Sequence, residues 1–293
     1  MVPMKKVLHL FFLLLLMIPQ ITYTAPNSGL RVHFIDVGQG DSMLVETPDN
    51  RAILIDGGVP EAGNRLISYL KEQHIEEIDL MIATHPDYDH IGGLIDVLEH
   101  FPVRKVLENG EVQLTKTFAK YRFYLFKEQV PVQIAQANDK IMLAENVELH
   151  ILHAADEHAE NRNQSAIAFK LSYDEIDFLF MSDVEAEQEE AIAEKYDVNS
   201  EVLKVAHHGS NSSSTLKFLK KVNPEVSIIT YSASNDYGHP VERVINNLAK
   251  VESQIFSTAG YGNIVVETDG KQYIVIPEMQ PIERFLKRIK DKE

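Results

Sequence analysis

The run Leu80-Met81-Ile82-Ala83 is wholly apolar and is followed at once by Thr84-His85-Pro86-Asp87-Tyr88-Asp89-His90 and Ile91-Gly92-Gly93. Its length and abrupt ending read as a buried strand, of the kind that needs packing layers on both sides. The residues that follow put two imidazoles and two carboxylates within six positions. A turn leaving a strand can aim such positions into one cavity, and mixed nitrogen and oxygen donors suit zinc, manganese or iron. The glycine pair lets a helix begin close by. A polar loop whose acids merely cap that helix would explain the carboxylates, but not their recurrence elsewhere in the chain.

Other apolar runs end in the same way. Ala52 to Ile55 delivers Asp56-Gly57-Gly58, Val147 to Leu152 delivers His153, Ile176 to Met181 delivers Ser182-Asp183, and Val202 to Ala206 delivers His207-His208-Gly209-Ser210. Polar groups that each follow a buried strand belong on one rim of a sheet. Taken singly, Asp183 reads as an N-cap of the glutamate-rich helix 186–195, and His153 as a loop histidine. Together they supply a full set of metal donors.

The remaining pattern predicts strands at 30–35, 42–46, 52–55, 103–107, 166–172, 226–230 and 254–257, and a hairpin at 263–276. Helices are predicted at 65–73, 91–99, 112–127, 213–221, 241–249 and 282–290. Strands come early, then alternate with helices, then recur. This predicts one α/β domain over residues 30–277, with two sheets inside and helices outside, and a tail at 278–293 whose basic residues form a solvated helix face.

With 293 residues, 44% of them hydrophobic and 25% charged, the chain has enough apolar side chains for a sizeable core. Its beginning is distinct: Lys5-Lys6, an apolar run from Val7 to Ile18, then Pro19 and a polar stretch ending at Ala25. That order predicts a signal peptide over 1–25, and the run is short for a bilayer. A secreted or extracytoplasmic protein follows, with no stable membrane span once the leader is removed. The alternative is an uncleaved leader that anchors the chain, which Pro26 favours. There is no cysteine, so the exported fold needs no disulfides. The formal net charge is −16, and losing the leader would strip two more lysines. Such a surface repels polyanions at long range, so net charge does not favour nucleic acid as a partner. Bound divalent ions would invert the field locally.

The order Asp56-Gly57, His85-x-Asp87-x-Asp89-His90, Asp183, His207 resembles the metallo-β-lactamase superfamily. Five further segments narrow the resemblance: Phe34 to Ser42, Leu54 to Gly58, Asn163-Gln164-Ser165, Lys204 to Ser210 and Tyr237-Gly238-His239-Pro240. They are similar to the soluble domain that ends competence DNA-uptake channel proteins. The resemblance spans roughly 30 to 277 and implies a four-layer αββα sandwich holding two divalent metal ions, zinc or manganese.

Carried over residue by residue, the resemblance implies that His85 and Asp87 serve one metal, with His153 as a further ligand. Asn161 and Asn163 lie nearer the offset expected for that third position. Asp89, His90 and His207 would serve the second metal, with Asp183 between both. Asp36, Asp41 and Asp56 would support the ligands from behind. Asp87 stands where most of the superfamily has histidine, which hardens the first site and shifts it towards manganese.

The implied chemistry is hydrolysis by a metal-activated water, with Asp89 and Asp183 at the reacting centre and His208 and His239 as proton donors to the leaving group. A phosphodiester is the expected substrate, nucleic acid included. Another ester (lactone, thioester or phosphocholine ester) and a binding module that keeps only the fold are the alternatives. Lys204 or the Ser210 to Ser214 stretch would meet a phosphate, unless those serines serve only to start a helix.

Overall fold

The computed structural model describes residues 29–155, 159 and 161–284. The predicted leader, and all but the start of the predicted final helix, lie outside the described residues. Strands β1 (Leu30–Phe34), β2 (Met43–Glu46), β3 (Ala52–Ile55), β4 (Leu80–Ala83), β5 (Val106–Glu108) and β6 (Val132–Ile134) form one sheet with β14 (Ile264–Thr268) and β15 (Tyr273–Pro277). The second sheet contains β7 (Lys140–Ala144), β8 (Val147–His153), β9 (Ala168–Tyr173), β10 (Ile176–Phe180), β11 (Val202–Lys204), β12 (Val226–Ile229) and β13 (Gln254–Ser257). Their orders are β15-β14-β1-β2-β3-β4-β5-β6 and β13-β12-β11-β10-β9-β8-β7.

Alternation along the antiparallel strands sends one set of side chains between the sheets. There Phe34 stacks on Phe180 at 6.0 Å between centroids, and Phe180 on Phe169 at 4.6 Å. The opposite faces are also apolar, and each is covered by helices. Leu44, Leu54 and Met81 pack with Leu66, Leu70 and Leu98 from helices Gly63–Glu72 and Leu94–His100. On the other side Leu179 and Leu203 pack with Ile192, Phe218 and Leu248 from helices Ala186–Lys195, Leu216–Val222 and Glu242–Lys250. The result is the four-layer αββα sandwich.

Within each sheet, one stretch is parallel: β3 to β6 and β10 to β13. Parallel strands release their carboxyl ends on the same edge, where open α/β sheets bind ligands. This is why Asp56, His85, Asp183 and the His207-His208 pair emerge together.

Several predicted boundaries shift for identifiable reasons. The helices predicted from 112 and 213 begin at Lys116 and Leu216, because Thr115 and Thr215 accept the N–H of Phe118 (3.1 Å) and Phe218 (3.2 Å) and so cap them. The helix predicted over 91–99 is divided around Gly92-Gly93 into Tyr88–Ile91 and Leu94–His100. Strands β6 and β7 lie at the sheet edges: β6 is three residues long and broken by Gln133, and β7 is an apolar run left partly exposed, so neither shows a period of two. Among the described residues, no helix is long and apolar enough to cross a membrane.

Candidate metal centre

Three turns interlock through their backbones beneath the site. Gly57 N donates to His90 O (2.6 Å), Gly58 N to Asp41 O (2.8 Å), Gly93 N to Gly58 O (3.1 Å) and Asp41 N to Asp89 O (3.2 Å). This closeness requires glycine. A Cβ on Gly93 would lie 2.1 Å from Gly57 O, and one on Gly40, whose φ is +110°, would lie 2.0 Å from Asp89 O.

Asp56, fully buried after β3, organises the first wall. Its Oδ1 accepts from Thr84 N (2.9 Å), and its Oδ2 from Thr84 Oγ1 (2.7 Å) and His90 Nδ1 (2.8 Å). Ser182 Oγ donates to Thr84 Oγ1 at 2.8 Å, tying in the rim of the second sheet. A histidine that donates Nδ1–H to a carboxylate presents a basic Nε2. His90 Nε2 lies 3.4 Å from Asp183 Oδ2, and His85 Nε2 lies 4.0 Å from the same oxygen.

The second wall is built likewise around His208. Its Nδ1 donates to Thr230 O at 2.9 Å and lies 3.3 Å from Asp41 Oδ1. Its Nε2 is 3.7 Å from both Asp89 Oδ2 and Asp183 Oδ2. Asp41 is in turn paired with Lys204 Nζ at 2.8 Å and accepts from the Thr230 hydroxyl. Lys204 is 1% exposed, which corrects the expectation that it meets a substrate phosphate.

Nε2 of His85, His90 and His208 converge on Asp183 Oδ2, at 4.0, 3.4 and 3.7 Å. These three nitrogens and Asp183 Oδ1 are buried, and none has a hydrogen-bond partner among the described residues. Buried polar atoms are ordinarily satisfied. Donor atoms of His85, His90 and Asp183 lie within 4.8 Å of one another, as do those of Asp89, His90 and His208. This donor set fits a divalent ion. Asp183 does not cap the following helix, whose N-cap is Glu185.

The electrostatics agree. Burial pushes the Asp183 carboxyl up, but His208, His90 and His207 outweigh it and hold it well below the usual carboxylate range. Burial also disfavours charge on His208, yet Asp183 and Asp41 raise it to about 10. His239 is instead lowered to about 4, by burial and then by His207 and His208.

The other predicted residues occupy the periphery. Asp87 Oδ2 is 3.9 Å from His85 Nε2, while its Oδ1 accepts from Arg162 Nε (2.6 Å) and Gln113 Nε2 (2.5 Å). His153 Nε2 donates to Gln164 O at 2.6 Å, and this residue belongs to neither donor cluster. Asn161 caps the turn Arg162–Ser165 through Gln164 N. His207 Nε2 lies 3.7 Å from Asp183 Oδ2 and 3.4 Å from Asn163 Nδ2, and its Nδ1 faces Ser212 Oγ at 3.2 Å. Asp36 pairs with Arg284 away from the donor clusters, so that tail arginine is not simply solvated. Thr84, Ser182 and Thr230 were not singled out from sequence, although each is a polar residue at the end of an apolar strand.

Fold and site together define a metal-dependent hydrolase class: the chain belongs to the Metallo-beta-lactamase superfamily, which it matches over residues 35–232. Among individual proteins it is 28% identical over 261 residues to ComE operon protein 3 of Bacillus subtilis, covering 83% of this chain and 33% of that protein. It is 27% identical over 225 residues to Competence protein ComA of Neisseria gonorrhoeae, covering 76% and 30%. The chain thus spans about a third of the length of these relatives. The metallo-beta-lactamase fold protein YhfI from Bacillus subtilis superposes with a TM-score of 0.58 at 11% identity, covering 82% of this chain and 100% of that one.

Proposed function

We propose that the protein is an exported hydrolase that cleaves phosphodiesters at a two-metal centre, with nucleic acid handled during competence as its substrate. The observation that carries this reading is the convergence of His85, His90 and His208 Nε2 on Asp183 Oδ2, the three nitrogens being buried and without hydrogen-bond partners among the described residues. His85, Asp87 and Asp183 would hold one ion, and Asp89, His90, His208 and Asp183 the other. His208 is buried and joins the Asp89 and His90 donor cluster, which His207 does not, and this favours His208 as the imidazole of the second set. Divalent ions there supply Lewis acidity and a nucleophilic water near neutral pH.

The chain's own residues do the rest. Asp56 and Thr230 fix the two imidazoles, Asp89 would orient the incoming water, and His239, lowered to about 4 and so neutral at pH 7, would line the pocket instead of serving as the proton donor expected from sequence. Support for a phosphodiester over another ester comes from the competence relatives and from Asp87, which hardens the first donor set.

A second reading, a centre with one metal, is favoured by the Arg162 and Gln113 contacts that already engage Asp87. Metal content, and cleavage of bis-p-nitrophenyl phosphate and single-stranded DNA with manganese or zinc, test both. Nearly two equivalents of metal and activity abolished in Asp183→Ala are expected. One equivalent would select the second reading, and no activity with any metal would overturn catalysis.

A further inference from the structure

Tyr88 and Tyr237 come from the rims of opposite sheets and meet beside the candidate centre. Tyr88 opens the short helix after β4, Tyr237 lies in the loop after β12, and their hydroxyls are 3.3 Å apart. Both remain open to solvent, at 47% and 59% exposure. Tyr237 stacks one face on His239, with centroids 5.7 Å apart and planes at 24°, so its exposed area lies on the other face and edge. The His239 ring is 5.7 Å from that of His207 and 6.5 Å from that of His208. A column of rings therefore runs from open surface to the wall of the metal centre.

The column is held in advance. Asn235 Oδ1 accepts from Tyr237 N (3.1 Å) and His239 N (3.0 Å), and its Nδ2 donates to Ser232 O (2.6 Å) and His239 O (2.8 Å). Ser232 N donates to Gln39 Oε1 at 3.2 Å, which fastens this loop to the first sheet. Rings fixed before binding cost a ligand little ordering entropy.

At a net charge of −16 the protein offers a polyanion no long-range attraction. Lys204 is buried on Asp41, and Arg162 is engaged by Asp87. A strand must gain affinity from contacts indifferent to net charge, and base stacking on an aromatic face is such a contact.

We propose that Tyr88 and Tyr237 form a stacking platform for an unpaired nucleobase, seating the adjoining phosphodiester against Asp183 and its histidines. This rests on the phosphodiester reading and adds the form of the substrate. Bases in a duplex are already stacked, so the platform selects single strands and frayed ends.

The test uses the full chain and two oligonucleotides with the same backbone, one carrying bases and one abasic at its central positions. Dissociation constants are read by fluorescence anisotropy on metal-stripped protein, and KM and kcat with manganese. Tyr88→Ala and Tyr237→Ala are expected to raise Kd and KM for the base-bearing strand by roughly 5- to 150-fold, with kcat little changed. The abasic strand should be unaffected, and Tyr237→Phe should retain affinity. Equal weakening for both strands, no weakening in either, or no binding of any strand overturns the platform. Tyrosine-dependent binding of the base-bearing strand without cleavage would keep the platform and remove the phosphodiesterase reading.

Discussion

His90 and Asp56 share a hydrogen bond of 2.8 Å in complete burial, and it turns the other ring nitrogen of His90 towards Asp183. Both Asp56 oxygens are already engaged, by Thr84 and by His90. Its substitution by alanine should therefore weaken metal binding by about 10- to 100-fold while leaving the donors chemically intact. Titration against a competing chelator measures this, and unchanged affinity would show that Thr84 and the backbone suffice to orient His90.

Donors from both sheets meet here: His85, Asp89 and His90 from one, Asp183 and His208 from the other. Metal bound only by the folded state should raise stability by about 2.7 kcal/mol at a hundredfold excess over Kd. Thermal unfolding with and without chelator reads the increment, and Asp183→Ala should abolish most of it.

Lys204 and Asp41 form an ion pair with neither side chain exposed. Lys204→Met would strand a buried carboxylate beside His208, at a cost of about 3–5 kcal/mol. Adding Asp41→Asn should recover part of that loss in urea unfolding. A double variant as unstable as the single one would mean that packing, not charge, dominates.

Glu189, which belongs to none of the donor clusters, supplies a separate pH dependence. Burial raises its carboxyl to about 8, against the opposing hydrogen bonds from Ser214 and Thr215 N–H. The folded protein therefore holds a proton that the unfolded chain has released. The contribution is fully present below about 4.5, the unfolded value, and is lost as pH rises through about 8. Each unit of difference is worth about 1.4 kcal/mol. Glu189→Gln should flatten the decline in stability between those limits, and an unchanged slope would assign it to another group.

Much of the site was legible because strand ends are legible. An apolar run interrupted by Asp, His or Thr marks where a buried strand meets the rim, and Asp56, His85 and Asp183 were found in this way. The His207-His208 pair could not be resolved so, since both residues have positive φ (48° and 53°). That backbone carries His208 inward, where spacing alone gives no preference. Lys204 misled for a related reason: a lysine near a strand end reads as a charged reach towards solvent, and its partner Asp41 lies far away in the sequence. Strands β6 and β7 escaped because β6 is only three residues long and β7 is apolar on both faces, so neither displays the alternation that marks a half-buried strand.

The interlocked glycine turns have a consequence for how such a centre changes over time. Gly57, Gly58 and Gly93 join the loops through main-chain hydrogen bonds, and Gly40 packs on the Asp89 carbonyl, so this part of the cradle does not depend on the side chains at the donor positions. A donor can be exchanged, as carboxylate for imidazole at Asp87, without rebuilding the frame that carries it. Inherited scaffold and adjustable chemistry are thereby separable, and new metal preferences lie within reach of single substitutions.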